Sequence, residues 1–171
     1  MRIQNKSLKS FVAVFVAALL AACTAEVPVS SADANKPIEF AQRLPDMTRN
    51  EIYSSTRAWI TETFMFGRAT VLDENRKTGH IVLKAHIPYP CDRDCGNRTI
   101  QFTMHFSIED GRLKLSFAHI RLSSPQTENE SGKGEPIRQQ KDLDVIQSEF
   151  ARLDRGLHAS LMGDESTTFL Q

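Results

Sequence analysis

The stretch TIQFTMHFSIEDGRLKLSFAHIRLS, residues 99–123, decides the fold. Ile100, Phe102, Met104, Phe106 and Ile108 alternate with Thr99, Gln101, Thr103, His105 and Ser107. Strict period-two alternation is the pattern of a strand with one buried and one solvated face. Asp110-Gly111 follows as a two-residue hairpin signal. With that turn, Ile108 faces Leu113, Phe106 faces Leu115 and Met104 faces Phe117, all on one side of the sheet. Beyond Phe117 the phase breaks, because His119 and Arg121 fall where apolar residues belong. One extra residue near Ala118 or His119, a β-bulge, restores it and sets Ile120 against Phe102 and Leu122 against Ile100.

Working outward, Ile81, Leu83, Ala85 and Ile87 alternate with His80, Val82, Lys84 and His86, which predicts a preceding half-buried strand. Ala69 to Leu72 reads as a further strand, with Asp73 to Gly79 as its polar turn. Ile38 to Leu44 is a short strand of poor alternation. Two amphipathic helices flank the strands. Thr48 and Glu51 have capping-box spacing, with Met47 and Ile52 at the staple positions. Ile52, Thr56, Trp59, Ile60 and Thr63 then recur at helical spacing until about Phe64. From about Gln140, the residues Leu143, Ile146, Phe150, Leu153, Leu157 and Leu161 form a second stripe that ends near Gly163. The expected class is α+β, an antiparallel sheet of four to five strands with two helices packed on one face.

The amino terminus has a different logic. Arg2, Lys6 and Lys9 precede an uncharged apolar run from Phe11 to Leu20, and small residues lead into Cys23, the order of a secretory signal peptide. A membrane-spanning helix would need a longer apolar run. Leu20-Ala21-Ala22-Cys23 resembles the lipobox of bacterial lipoproteins. That resemblance implies cleavage before Cys23 and acylation of its thiol and new amino group, a palmitate-type anchor. Thr24 rather than Asp after the cysteine implies, by the same resemblance, the outer membrane in a Gram-negative envelope. The expected organisation is therefore a signal peptide at 1–22, a lipidated tether at 23–36, one domain at 37–163 with a mobile loop at 123–135, and a tail at 164–171.

The whole chain has 171 residues and zero formal net charge. Removing Arg2, Lys6 and Lys9 with the signal leaves 18 basic against 21 acidic side chains, about −3. That balance provides no electrostatic footprint for nucleic acid. Attachment to a membrane then falls to the acyl chains on Cys23. Besides Cys23, only Cys91 and Cys95 remain, and an oxidising envelope favours bridging them. So small a loop is stabilised by only about 2 kcal/mol, enough to stiffen a turn. Zinc is the competing reading, with His80 and His86 as further ligands, but the spacing matches no common zinc pattern. A redox pair would favour a two-residue spacer at a helix N-terminus.

Glu51-Ile52-Tyr53, Ala58-Trp59-Ile60 and Phe64 resemble the family of bacterial exported proteins called domain of unknown function 4468, which has a TBP-like fold. Thr78-Gly79-His80-Ile81-Val82 and Phe106-Ser107-Ile108-Glu109-Asp110-Gly111-Arg112 fit the same pattern, over roughly residues 37–122. The Cys91/Cys95 turn is a departure from it. The resemblance implies a fold and no chemistry, and a fold does not fix a function.

By strand parity, His80, Lys84, His86, Gln101, Thr103, His105, Lys114 and Ser116 lie on the open face. This face lacks the apolar wedges with which minor-groove binders kink DNA. No phosphate loop, nucleophile elbow or His-Glu-x-x-His helix is present, so no catalytic residue, cofactor or metal is expected. The expected function is that of a non-enzymatic envelope lipoprotein. It would bind a protein or small ligand through His80, Lys84, His86, Thr103, His105 and Lys114, or through a loop. An assembly accessory engaging a complex through its last helix is the first alternative, and an envelope hydrolase or redox enzyme the second. An exposed apolar stripe on that helix would favour the accessory.

Overall fold

Thr48 ends the chain's approach to the first helix as the sequence predicts. In the computed structural model its backbone is extended, its hydroxyl accepts from the Glu51 N–H, and Glu51 reaches back to the Thr48 N–H at 2.7 Å. The structure describes residues 28, 30, 36–65, 67–90, 97–124 and 134–163. The signal peptide, Cys23, Cys91, Cys95 and most of the 123–135 loop lie outside the described residues, as does the tail from 164.

The elements run β1 (Ile38–Arg43), α1 (Arg49–Thr63), β2 (Ala69–Asn75), β3 (His80–Pro88), β4 (Thr99–Glu109), β5 (Arg112–Ser123) and α2 (Gln140–Met162). The strands form one antiparallel sheet in the order β1-β5-β4-β3-β2. Both helices lie on one face of it. Trp59 and Phe64 of the α1 segment meet Phe106 and Phe102 edge-on, and Phe150 of α2 meets Phe102 and Phe117. Trp59 is buried and is part of this core.

The hairpin register is the expected one, with Ile108 opposite Leu113, Phe106 opposite Leu115 and Met104 opposite Phe117. The bulge also lies where the phase demanded. Gln101 pairs with Arg121 and Thr103 with Ala118, so His119 and Ile120 together face Phe102. His119 takes a positive φ of 51° to make the extra step. Ile120 and Leu122 are thereby buried while His119 and Arg121 stay exposed.

Two boundaries are corrected. β2 continues to Asn75, so Asp73, Glu74 and Asn75 belong to the strand and the turn is only 76–79. The strand has its own bulge between Val71 and Asp73, and as an edge strand it is exposed almost throughout. Acidic residues and a bulge are devices that blunt a sheet edge. Ser123, expected to open the loop, is instead the buried last residue of β5.

α2 ends on Gly163, whose φ of 70° provides a left-handed cap. The far end of the sheet is fastened to α1 by the hairpin turn. Asp110 Oδ1 accepts the Arg49 N–H at 2.7 Å, and the Gly111 N–H donates to the Met47 carbonyl at 2.9 Å. The first of these satisfies an N–H that the helix itself leaves without a partner.

Candidate functional site

The sheet face opposite the helices carries every one of the predicted binding residues. Register places His80, Ser107 and Lys114 in one row, Val82, His105 and Ser116 in the next, and Lys84, Thr103 and Ala118 in a third. Lys84, His86 and Lys114 are exposed, whereas His80, Thr103 and His105 are half-buried between neighbouring strands. Lys114 lies 3.1 Å from Glu39 of β1, and His80 lies 3.9 Å from Asp73 of β2. Such exposed pairs contribute little, about 0–1 kcal/mol.

His105 is the electrostatic centre of this face. Its pKa is held below the ordinary value, first by desolvation and then by the neighbouring His80 and His119. Sequence parity includes His80 and His86 with His105 but does not bring His119 near. The bulge does that. Among the described residues no group of three His, Cys, Asp or Glu side chains is placed to hold a metal ion.

Among the described residues, two clefts open at the end of the sheet away from the hairpin. The smaller, about 250 Å³, brings Lys84, His86 and Gln101 of the open face together with Arg68 and Thr70. Among the described residues no carboxylate lines it. The larger, about 280 Å³, is bounded by Arg98, the end of β5, residues 135–139 and the first turn of α2.

Beside the larger cleft is a partly buried polar network centred on Asp142. Asp142, in the first turn of α2, accepts from the Tyr89 hydroxyl at 2.8 Å and pairs with Arg98 at 3.7 Å. The Arg98 guanidinium also lies 4.6 Å from the centre of the Tyr89 ring. A carboxylate near a helix N-terminus is favourable to the helix dipole. The network therefore ties the start of α2 to Tyr89 and Arg98, which directly follow β3 and directly precede β4. The sequence held one clue to it, since Asp142 sits four residues before Ile146, beside the apolar stripe.

These features define an α+β domain of TBP-like fold, with one covered and one polar sheet face. Residues 42–123 match the family described as a domain of unknown function (DUF4468) with TBP-like fold, the family that the sequence resembles. A TBP-like protein from Parabacteroides distasonis ATCC 8503 is similar at a TM-score of 0.57 and 14% identity, covering 79% of this chain and 96% of its own. A DUF4468 family protein from Bacteroides ovatus ATCC 8483 is similar at 0.54 and 10% identity, covering 87% and 95%. No curated protein matches the chain.

Proposed function

We propose that this is a cell-envelope lipoprotein, held by acyl chains on Cys23 in the outer membrane if the envelope is Gram-negative. Its domain is a non-enzymatic binding module that takes a protein or small ligand on the open sheet face. The supporting observation is the three-histidine environment of His105, half-buried at the centre of an uncovered polar face. Partly desolvated polar groups on a sheet are well placed for recognition, because they are held by the strands. The accessory reading lacks its own signal. Leu143, Ile146, Phe150, Leu153, Leu157 and Leu161 are all buried inside the domain.

The decisive experiment compares native protein and a His105→Ala, Lys84→Ala variant, both purified from membranes, with bound partners identified by mass. Loss of a partner at unchanged melting temperature supports the reading. Retention of every partner removes the open face from consideration. For the anchor, Cys23→Ser should abolish acyl labelling, and unchanged membrane fractionation of that variant would defeat the assignment. For Cys91 and Cys95, which we propose are bridged, alkylation without reductant should leave both unlabelled in intact-mass analysis.

A further inference from the structure

We infer that the outer edge of β1 joins a second copy of this chain, pairing antiparallel with the same strand about a two-fold axis at Ala41. The inference depends neither on the lipid anchor nor on a ligand of the open face. The two edges of the sheet, β1 and β2, are built differently. β2 is interrupted by the bulge between Val71 and Asp73 and carries Asp73 and Glu74, features that deter strand pairing. β1 is regular. Its register against β5 runs without a shift from Ile38 to Arg43, and it contains no proline. Among the described residues no strand or bridge lies on its outer side. Charges on an edge also deter pairing, unless the partner supplies their counterparts, and β1 is complementary to itself.

The phase of the backbone selects the register. The Leu44 N–H donates to the Gly111 carbonyl at 2.8 Å, so the even-numbered residues of β1 turn their backbone groups toward β5. Those of Glu39, Ala41 and Arg43 point outward, because successive residues alternate in direction. Of the symmetric registers, only the one centred on Ala41 pairs all three outward residues with one another. Ala41 then meets Ala41, and Glu39 meets the second copy's Arg43, twice by symmetry, each pair exchanging both of its bonds. Centring on Glu39 or on Arg43 would instead set like charges opposite each other.

Side chains agree with that register. Glu39 and Arg43 are exposed. Glu39 holds Lys114 within its own sheet at 3.1 Å, whereas Arg43 stands opposite Arg112, a second cation, which lies 4.0 Å from Glu109. Like charges directly opposite in a sheet disfavour each other, and the second copy's Glu39 supplies the carboxylate that Arg43 lacks. On the covered side, the half-buried Phe40 comes to stand diagonal to the second copy's Phe40, within reach for aromatic side chains. Odd-numbered residues face odd-numbered ones, so both open faces lie on the same side. The dimer thereby presents both His105 side chains on one continuous surface.

The test uses the acylated full chain in detergent, with micelles in excess over protein. Ala41→Cys places two thiols at a pair whose Cα atoms lie about 5.5 Å apart, within disulfide reach. Oxidation should link two copies through this position, read by intact mass and located by peptide mapping. Thr70→Cys, on the β2 edge, should give no such link. In the Ala41→Cys background, Glu39→Arg or Arg43→Glu should weaken association about tenfold, because both rows then oppose like charges. Combining the two exchanges should restore it, since the rows are again opposite in sign. Absence of a link at Ala41→Cys, equal linking at Thr70→Cys, single exchanges without effect, or no recovery in the combined variant overturns the inference.

Discussion

The Phe117 and Phe150 rings stack face to face, 4.0 Å between centroids and 7° from parallel. Phe102 closes on both edge-on, at 5.6 and 4.9 Å. All three are fully buried. This trio is the joint between the sheet and α2, since it links β4, β5 and the middle of the helix. Phe150→Ala should therefore destabilise the domain by about 3–5 kcal/mol, measured by urea denaturation. Phe40, half-buried at the sheet edge and 5.9 Å from Phe117, should cost clearly less on the same change. Equal losses at the two positions would mean that α2 packs more loosely than its ring contacts require.

Two glycines with the same backbone conformation should respond differently to alanine. Gly79 and Gly163 both have φ of 70°. A Cβ on Gly79 would lie 2.0 Å from the Ile108 carbonyl oxygen, whereas one on Gly163 meets nothing within 4 Å. Gly163→Ala thus incurs only the left-handed backbone cost, about 1–2 kcal/mol. Gly79→Ala must also push β4 aside and disturb the Ile108 N–H bond to the Gly79 carbonyl, at 2.8 Å. Its melting temperature should fall further than that of Gly163→Ala. The reverse order would show that the 76–79 turn relaxes freely.

Much of this architecture was legible because β3, β4 and β5 bury one face and expose the other, so burial writes itself into alternation. The β5 bulge was readable for the same reason, since an unrepaired register would bury His119 and Arg121. β2 beyond Leu72 was not readable, because an edge strand exposed on both sides imposes no alternation. β1 alternates poorly because Gln42 points to the covered side, where its amide donates to Asp154 Oδ1 at 2.7 Å. The six open-face residues followed from parity alone. The clefts and the approach of His119 to His105 did not, as they depend on chain segments far apart in sequence.

Asp142 is a buried carboxylate with a hydroxyl and a guanidinium as partners, and removing it should be expensive. Asp142→Ala leaves the Tyr89 hydroxyl without this acceptor and Arg98 without its counter-charge. Arg98 keeps about a third of its side chain in water, which softens the loss. A destabilisation of about 2–3 kcal/mol is expected, the upper range for a hydrogen bond to a charged group. A double-mutant cycle with Tyr89→Phe should give coupling well above zero. Strict additivity would show that the bond contributes nothing to holding α2.

His105 should make the fold sensitive to mild acid. Its pKa in the folded protein lies below the ordinary value of 6.5, because partial burial and the two histidines beside it disfavour the cation. In the unfolded chain the imidazole titrates near 6.5, so below that pH the unfolded state takes up a proton that the folded state refuses. More protons bound to the unfolded state means that stability rises with pH in this window. The contribution is therefore intact above about pH 6.5 and is lost as pH falls through the lower, folded value. Carboxylates also titrate on the acid side, Glu51 among them, but its pKa is lowered from 4.5 by Thr48 and it responds only at lower pH. His105→Gln removes the titrating group while keeping a polar side chain on the open face. Urea midpoints for the parent should fall between pH 7 and pH 5.5, and those of the variant should fall less over the same interval. If the two curves run parallel, His105 is as free to charge as in water, and the open face does not press its histidines together.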